Sequence, residues 1–209
     1  EIAVLSAASE TFCQRNTNTS IDGAIERIRP IVEHAVTCEV GVRGYISCVI
    51  ACPYEGDTNL QTVRYITQQM LDMGITDIAF GETIGVAVPL DIRRLFDALD
   101  GVLSPEDSIL HLHDTRGTAL ACVSEAMRCG VRSFDASCGG LGGCPYAPGA
   151  AGNIATEDLV YFANKMGIET GVDLNALIAA SSMIEKEIDC PLQSRTYRAF
   201  QDAHTRPSS

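Results

Sequence analysis

The 209-residue sequence contains four histidines, and two of them, His111 and His113, stand two positions apart at the end of a predicted strand. Residues i and i+2 of a strand point to the same face of a sheet, so both imidazoles can reach one ligand. Two imidazoles on one face suit a single metal ion, whereas a pair of hydrogen-bonded or solvent-facing histidines is the alternative. The pattern therefore indicates a candidate metal site at His111 and His113.

Cys144 is a second group that could take part in chemistry, because it lies in the glycine- and proline-rich segment 139–153. Glycines at this density allow positive φ angles and close approach to a ligand, and prolines stiffen the loop. A thiol held on such a loop is a candidate reactive group. The alternative is a surface connector that carries an incidental cysteine.

Further polar side chains follow the other predicted strands: Asn16 after the first, Ser47 at the end of the second, Glu82 after the third and Asn153 after the fifth. The carboxyl ends of parallel strands lie at one edge, where functional groups of α/β proteins are found. Imidazole combined with amide and carboxylate oxygen favours Mg²⁺ or Mn²⁺ over a structural zinc ion, which would draw on cysteine.

Five short β-rich runs alternate with longer segments of helical period. The strands are expected at residues 2–7, 42–50, 75–80, 108–113 and 131–137. Successive βα units form a parallel sheet covered by helices. Two architectures fit, a doubly wound sheet that is complete in itself and a (β/α)₈ barrel without its first three units, since a whole barrel typically needs about 250 residues.

The segments outside these units have the composition of loops. Residues 9–19 are predicted as a polar loop, residues 53–56 as the exit from the second strand, and the residues from Ser194 onward as a loose tail. We therefore expect one domain over residues 1–190 and a polar C-terminal tail over residues 191–209.

Composition limits the partners and the compartment. An apolar fraction of 46% is that of a globular protein, and a net charge of −12 with scattered Lys and Arg argues against nucleic acid. No apolar run reaches the ~18 residues of a membrane span. Nine cysteines at irregular spacing indicate reduced thiols in a reducing compartment. Because the chain opens with Glu1 inside an apolar run, we expect that an N-terminal piece is missing.

Residues 135–158, DASCGGLGGCPYAPGAAGNIATED, resemble the signature of the 3-hydroxy-3-methylglutaryl-CoA lyases. Further segments match the same family in the same order: ASETF at 8–12, RGYISC at 43–48, CPYEG at 52–56, GETIG at 81–85 and HLHDT at 111–115. The resemblance implies a metal-dependent (β/α)₈ barrel of which this chain holds about the last five βα units, truncated at the N-terminus.

The resemblance also implies an activity, the cleavage of 3-hydroxy-3-methylglutaryl-CoA to acetyl-CoA and acetoacetate in leucine degradation and ketone-body formation. It implies an acyl-CoA substrate, a homodimer when full length, and a location in the bacterial cytoplasm or the mitochondrial matrix. The chain alone is expected to be inactive, because the family's metal-binding aspartate and catalytic arginine of the first strand have no counterpart here.

The site residues follow from matching motifs. The resemblance implies Cys144 and His111 as catalytic residues, with Cys144 as the proton donor. The implied ligands of Mg²⁺ or Mn²⁺ are His111, His113 and Asn153, and the implied substrate-binding residues are Glu82, Tyr45, Asn16 and Ser47.

Two positions depart from the family pattern: Glu82 stands where an aspartate is usual, and Arg116 where a tyrosine is usual. These departures leave open a lyase for a related 3-hydroxy-acyl-CoA. An aldolase of the same barrel group that acts on 4-hydroxy-2-oxo acids is another alternative, and a partial domain without activity is the third.

Overall fold

The computed structural model describes residues 1–143 and 152–205 of the chain. Its elements in order are β1 (Ile2–Ala7), α1 (Glu10–Thr17), α2 (Ile21–Thr37), β2 (Val42–Ser47), β3 (Ala51–Cys52), β4 (Gly56–Asp57), α3 (Leu60–Asp72), β5 (Asp77–Glu82), α4 (Pro89–Leu99), β6 (Ser108–Leu112), α5 (Ala119–Cys129), β7 (Ser133–Asp135), α6 (Thr156–Lys165), α7 (Leu174–Ile188) and α8 (Arg195–Thr205).

Five of the strands form one parallel sheet in the order β1-β2-β5-β6-β7, and β3 and β4 form a small antiparallel hairpin. Each long strand lies beside the next one in the chain, whereas a doubly wound sheet reverses its order at a switch point. The fold is therefore a set of consecutive (β/α)₈-barrel units, as predicted. Within the described residues, β1 and β7 each pair with a neighbour on one side only.

The main apolar core lies between the sheet and the helices. Alternate residues of the inner strands point to the helices and are fully buried: Ile46, Ile78, Phe80, Leu110 and Leu112. Burial of each such side chain contributes about 1.5–3 kcal/mol. The opposite face of the same strands carries Tyr45 and His111, so the alternation separates packing from polar groups.

Segment 9–19, predicted as a loop, contains helix α1. The hydroxyl of Ser9 accepts a hydrogen bond from the amide of Phe12 at 3.0 Å, which caps the helix, and Phe12 and Cys13 are buried. Two apolar residues in an eight-residue helix are too few to give a periodic signal, which is why the pattern did not predict it.

The C-terminal prediction was also wrong in part, because residues 195–205 form α8 and are not a loose tail. Leu192, Ser194 and Tyr197 are buried. The carboxylate of Asp158 accepts hydrogen bonds from the Ser194 hydroxyl and from the amides of Arg195 and Thr196, and the Ser194 hydroxyl accepts one from the amide of Tyr197. This capping depends on a distant residue, so the local sequence did not reveal it.

None of the helices in the described ranges has the length and hydropathy of a membrane span.

Candidate active site

The three predicted metal ligands lie together at the carboxyl rim of the sheet. His111 is on β6 and His113 follows it, and their rings are 5.5 Å apart between centroids. Asn153 pairs with His113 in an isolated antiparallel bridge, and the amide of Ile154 donates to the carbonyl of Leu112 at 3.0 Å. The segment after the cysteine loop is thereby fixed beside both histidines.

Each of these residues carries a buried polar atom without a hydrogen-bond partner among the described residues: Nδ1 of His111, Nδ1 of His113 and Oδ1 of Asn153. A buried polar atom without a partner costs roughly 1–3 kcal/mol. Because Nδ1 of His111 lies 3.4 Å from the Asp135 carboxylate, the atoms of His113 and Asn153 are the ones that favour a shared ligand. The donor set of two imidazoles and an amide oxygen fits a divalent ion.

The described residues contain no group of three or more His, Cys, Asp or Glu side chains arranged around a metal. A metal at this rim would thus depend on the Asn153 amide in addition to the imidazoles.

His113 is in the protonation state that a metal requires. Burial, and secondarily the neighbouring His111, lower the pKa of His113 to about 4. The ring is therefore neutral near pH 7 and keeps a lone pair for coordination.

Asp135 on β7 lies opposite His111 in the strand register, and the sequence did not identify it as a site residue. Its Oδ2 lies 3.4 Å from Nδ1 of His111 and accepts a hydrogen bond from the Tyr45 hydroxyl at 3.0 Å. Arg43 Nη1 is 3.4 Å from Oδ1. Burial alone would raise the pKa of Asp135, but the contacts with His111, Tyr45 and Arg43 outweigh it and lower the pKa. Asp135 is an anion beside a predicted ligand.

The residues around Asp135 could have been predicted from the alternation of side chains along the strands. Arg43 and Tyr45 are two positions apart on β2, as are Ser133 and Asp135 on β7, so they share the face that carries His111. Tyr45, predicted to bind substrate, lies at the site, and its hydroxyl is bonded to Asp135.

Glu82, also predicted to bind substrate, lies on the other face of the sheet. It is two positions from Phe80 and four from Ile78 on β5, so it points to the same face as they do. Its side chain is 1% exposed and accepts a hydrogen bond from the amide of Val86 at 3.1 Å. Burial raises its pKa although amides of its own loop lower it. The structure thus corrects the assignment, because the carboxylate holds loop 83–88 instead of facing the histidines.

Arg116, the second departure from the family pattern, contacts the same loop. Its Nη1 donates to the carbonyls of Ile84 and Gly85 at 3.0 and 3.1 Å. The two unusual residues therefore hold the same loop, Glu82 through backbone amides and Arg116 through backbone carbonyls.

Ser47 and Asn16 are partly buried residues on neighbouring units. Ser47 ends β2 on the face that carries Tyr45, and its carbonyl accepts a hydrogen bond from the amide of Ala8 at 2.9 Å. Asn16 lies in α1, which follows β1. Cys144 lies outside the described residues. The eight cysteines in the described part are not joined in disulfide bonds.

Comparison with known proteins identifies the family. The HMGL-like family model matches residues 1–184. A Pseudomonas aeruginosa protein named 3-hydroxy-3-isohexenylglutaryl-CoA/hydroxy-methylglutaryl-CoA lyase is 46% identical over 184 residues, which are 88% of this chain and 61% of that protein.

Solved structures of hydroxymethylglutaryl-CoA lyases are also similar to this chain. The crystal structure of hydroxymethylglutaryl-CoA lyase from Pseudomonas aeruginosa superposes with a TM-score of 0.93 at 43% identity, covering 96% of this chain and 67% of that chain. An HMG-CoA lyase from Acinetobacter baumannii, in complex with coenzyme A and 3-methylmalate, gives a TM-score of 0.91 at 34% identity, covering 99% of this chain and 68% of that chain.

This chain spans about three fifths of the length of the curated Pseudomonas relative. The matches cover most of its own residues, and the chain belongs to the HMGL-like family, in which it is similar to the hydroxymethylglutaryl-CoA lyases.

Proposed function

We propose that the protein is a divalent-metal-dependent lyase that cleaves 3-hydroxy-3-methylglutaryl-CoA to acetyl-CoA and acetoacetate. The observation that carries the proposal is the meeting of His111, His113 and Asn153 at the rim, where His113 and Asn153 each keep a buried polar atom without a partner among the described residues. Relatives named as lyases for this substrate, and the coenzyme A in one of their structures, support it.

His111, His113 and Asn153 would hold Mg²⁺ or Mn²⁺. When bound, such an ion would acidify the substrate's C3 hydroxyl and orient its carboxylate end. Asp135, whose Oδ2 lies 3.4 Å from Nδ1 of His111, would help to hold that ring in place, and the neutral state of His113 leaves its nitrogen free to coordinate. Ser47, Tyr45 and Asn16 are proposed to contact the substrate from the neighbouring strands and helix.

The bond changes follow from the substrate. Loss of the C3 hydroxyl proton to solvent turns C3 into the ketone of acetoacetate while the bond between C2 and C3 breaks. The electron pair stays on C2 as the enolate of acetyl-CoA, and one proton delivered to C2 completes the product. We propose Cys144 as the donor, because a thiol is a much stronger acid than a hydroxyl.

A second candidate substrate carries a longer group at C3. The Pseudomonas relative is named for both 3-hydroxy-3-isohexenylglutaryl-CoA and the methyl compound. The departures at Glu82 and Arg116 act on loop 83–88, so a shifted loop would change the room available at the rim.

The test is cleavage of both thioesters with Mg²⁺ or Mn²⁺, using protein expressed from the reading frame that contains this chain. The ratio of the two kcat/KM values identifies the preferred substrate. No acetoacetate from the methyl compound under either ion would refute the proposal.

Cys144→Ser should keep Mn²⁺ affinity and lose most turnover. Alkylation offers a parallel measurement, in which substrate should protect Cys144. The exposed Cys38 and Cys190 would obscure it, so both are first changed to Ser. Cys122 serves as an internal control, since burial raises its pKa to about 12 and it should react slowly. Full turnover in Cys144→Ser would remove the thiol from the mechanism.

A further inference from the structure

Residues 192–195, here called the strap, are the end of the connection between α7 and α8 and the first residue of α8. They contact two parts of the site that are far from them in sequence. Leu192 and Gln193 meet the first residues of the cysteine loop, and Arg195 meets the turn after His113. The cysteine loop leads to Asn153, and the turn directly follows His113, so both contact points adjoin proposed metal ligands.

The first contact is at Gly139. Its carbonyl accepts a hydrogen bond from the amide of Gln193 at 2.9 Å. Its φ angle is +66°, and a Cβ placed there would lie 2.6 Å from Cδ1 of Leu192, so the buried Leu192 side chain fills the space that the missing side chain leaves. The strap therefore packs directly on the backbone of the loop root.

Glu157 fixes Gly139 from its other side. This carboxylate is 0% exposed, and its two oxygens accept the Gly139 amide at 2.9 and 3.0 Å. It also accepts a hydrogen bond from the hydroxyl of Ser181 on α7. Both backbone polar groups of Gly139 are thus held by the C-terminal part of the chain.

The residues that follow Gly139 at the start of the cysteine loop are hydrogen-bond partners of Asn153. The Asn153 side-chain amide donates to the carbonyl of Leu141 at 3.0 Å, and its backbone amide donates to the carbonyl of Gly142 at 3.2 Å. Leu141 and Gly142 are two and three residues after Gly139. The position of Gly139 therefore influences where the partners of Asn153 lie.

The second contact is at Asp114. Nη1 of Arg195 donates to Oδ2 of Asp114 at 3.0 Å, while Oδ1 accepts from the amide of Ala119 at 2.9 Å. The amide of Asp114 donates to the carbonyl of Gly152. The turn after His113 is therefore held by the strap on one side and by the residue before Asn153 on the other.

We propose that the strap positions the site: Leu192 and Gln193 fix the root from which Asn153 is oriented, and Arg195 fixes the turn that follows His113. These are positioning residues and not catalytic residues, because they reach the reacting groups only through Gly139 and Asp114. The proposal deepens the proposed lyase function and rests on it for its effect on catalysis.

The experiment compares Leu192→Ala with Leu99→Ala, a matched truncation of a fully buried leucine on α4 away from the rim. Leu192→Ala should accelerate amide hydrogen exchange in residues 137–143 and weaken Mn²⁺ binding by about tenfold or more, the effect typical of groups that orient ligands. Leu99→Ala should leave both unchanged in the folded protein. Equal exchange and equal Mn²⁺ affinity in the two variants would overturn the proposal.

Arg195→Ala keeps the test valid if Leu192→Ala does not fold, since the Arg195 side chain is 68% exposed and its loss should cost little stability. It should accelerate exchange in residues 113–118 and raise KM or lower kcat, and Arg195→Lys should restore part of the effect. Arg128→Ala, at a similarly exposed arginine on α5, is the control. Exchange unchanged in Arg195→Ala would refute the role of Arg195.

The exchange measurements need neither metal nor substrate. An unaltered protein that lacks turnover would refute the proposed function, while faster exchange in the strap variants would still support the strap. Turnover in the unaltered protein with unchanged exchange in both variants would refute the strap alone.

Discussion

The two faces of the sheet use buried carboxylates in opposite ways. Glu82, on the face toward the helices, bonds only to backbone amides of its own loop in the contacts described above, and burial raises its pKa. Asp135 lies on the opposite face, here called the inner face, which carries Tyr45 and His111. It contacts His111, Tyr45 and Arg43, and these contacts lower its pKa. One carboxylate organises the backbone, whereas the other supplies a fixed negative charge to a functional group.

The same difference extends along the strands. On β6, Leu110 and Leu112 are buried among apolar side chains, whereas His113 just after the strand keeps a polar atom without a partner among the described residues. A face with all its groups satisfied contributes stability, and a face with unsatisfied groups is prepared for a ligand. The separation can be tested by perturbing each face and measuring both properties.

The largest expected effect is on stability from the helix-facing side. Phe80→Ala removes a fully buried ring that packs edge-on against Phe96 and should lower the free energy of unfolding by about 3–5 kcal/mol. Urea unfolding measures it, with the exposed Leu90→Ala as a control that should change little. Mn²⁺ affinity of the folded variant should be retained, and a loss of affinity as large as the loss of stability would break the separation.

His113→Ala, on the side of the histidines, tests metal binding instead of stability. It removes a proposed ligand and should weaken Mn²⁺ binding and turnover by at least about 100-fold. Stability without metal should fall little or rise, since a buried unpartnered nitrogen is removed. Titration with Mn²⁺ and metal-free unfolding are the two measurements. Unchanged affinity here and in His111→Ala would remove the histidines from the metal site.

Asp135→Asn sharpens the comparison between the carboxylates, because it keeps the shape and removes the charge. Since Asp135 orients His111, turnover and Mn²⁺ affinity should fall by about 10-fold to 100-fold. Tyr45→Phe, which removes one bond to the same carboxylate, should have a smaller effect. If Asp135→Asn behaved like the unaltered protein, Asp135 would have no role beyond packing.

Glu82→Gln should have the smallest effect, visible in the pH dependence of stability. The folded-state pKa of Glu82 is raised above its ordinary value of 4.5, so the folded protein binds the proton more tightly. Its contribution is fully present below pH 4.5 and is lost as the pH rises through the higher folded pKa. Unfolding followed from pH 4 upward should show this loss in the unaltered protein and not in the variant. Parallel pH curves would contradict it.

The sequence predicted the parts of the fold that depend on repetition. Helices alternate with the strands as the sequence indicated, and the five strands were found with errors only at their ends. The period of 3.6 or 2 is a local property, and the sheet order follows from successive βα units.

The sequence also predicted that His111, His113 and Asn153 meet, but not the contacts made at a distance. Asp135 reaches His111 from the next strand, and Asp158 caps α8 from 36 residues away. Glu82 was assigned to the site because it follows the third predicted strand and lies in a family motif, although it is an even number of positions from Phe80 and therefore lies on the other face. Counting positions along β5 would have corrected this assignment.

The contact between Gly139 and Leu192 has a consequence for how the sequence can evolve. With Leu192 filling the space beside a backbone at φ +66°, neither position can change freely alone. A side chain at residue 139 would meet Leu192, and a smaller residue at 192 would leave a void against Gly139. In homologues that retain both segments, the two positions should vary together. Substitution of residue 192 is thus constrained by a glycine more than 50 residues earlier.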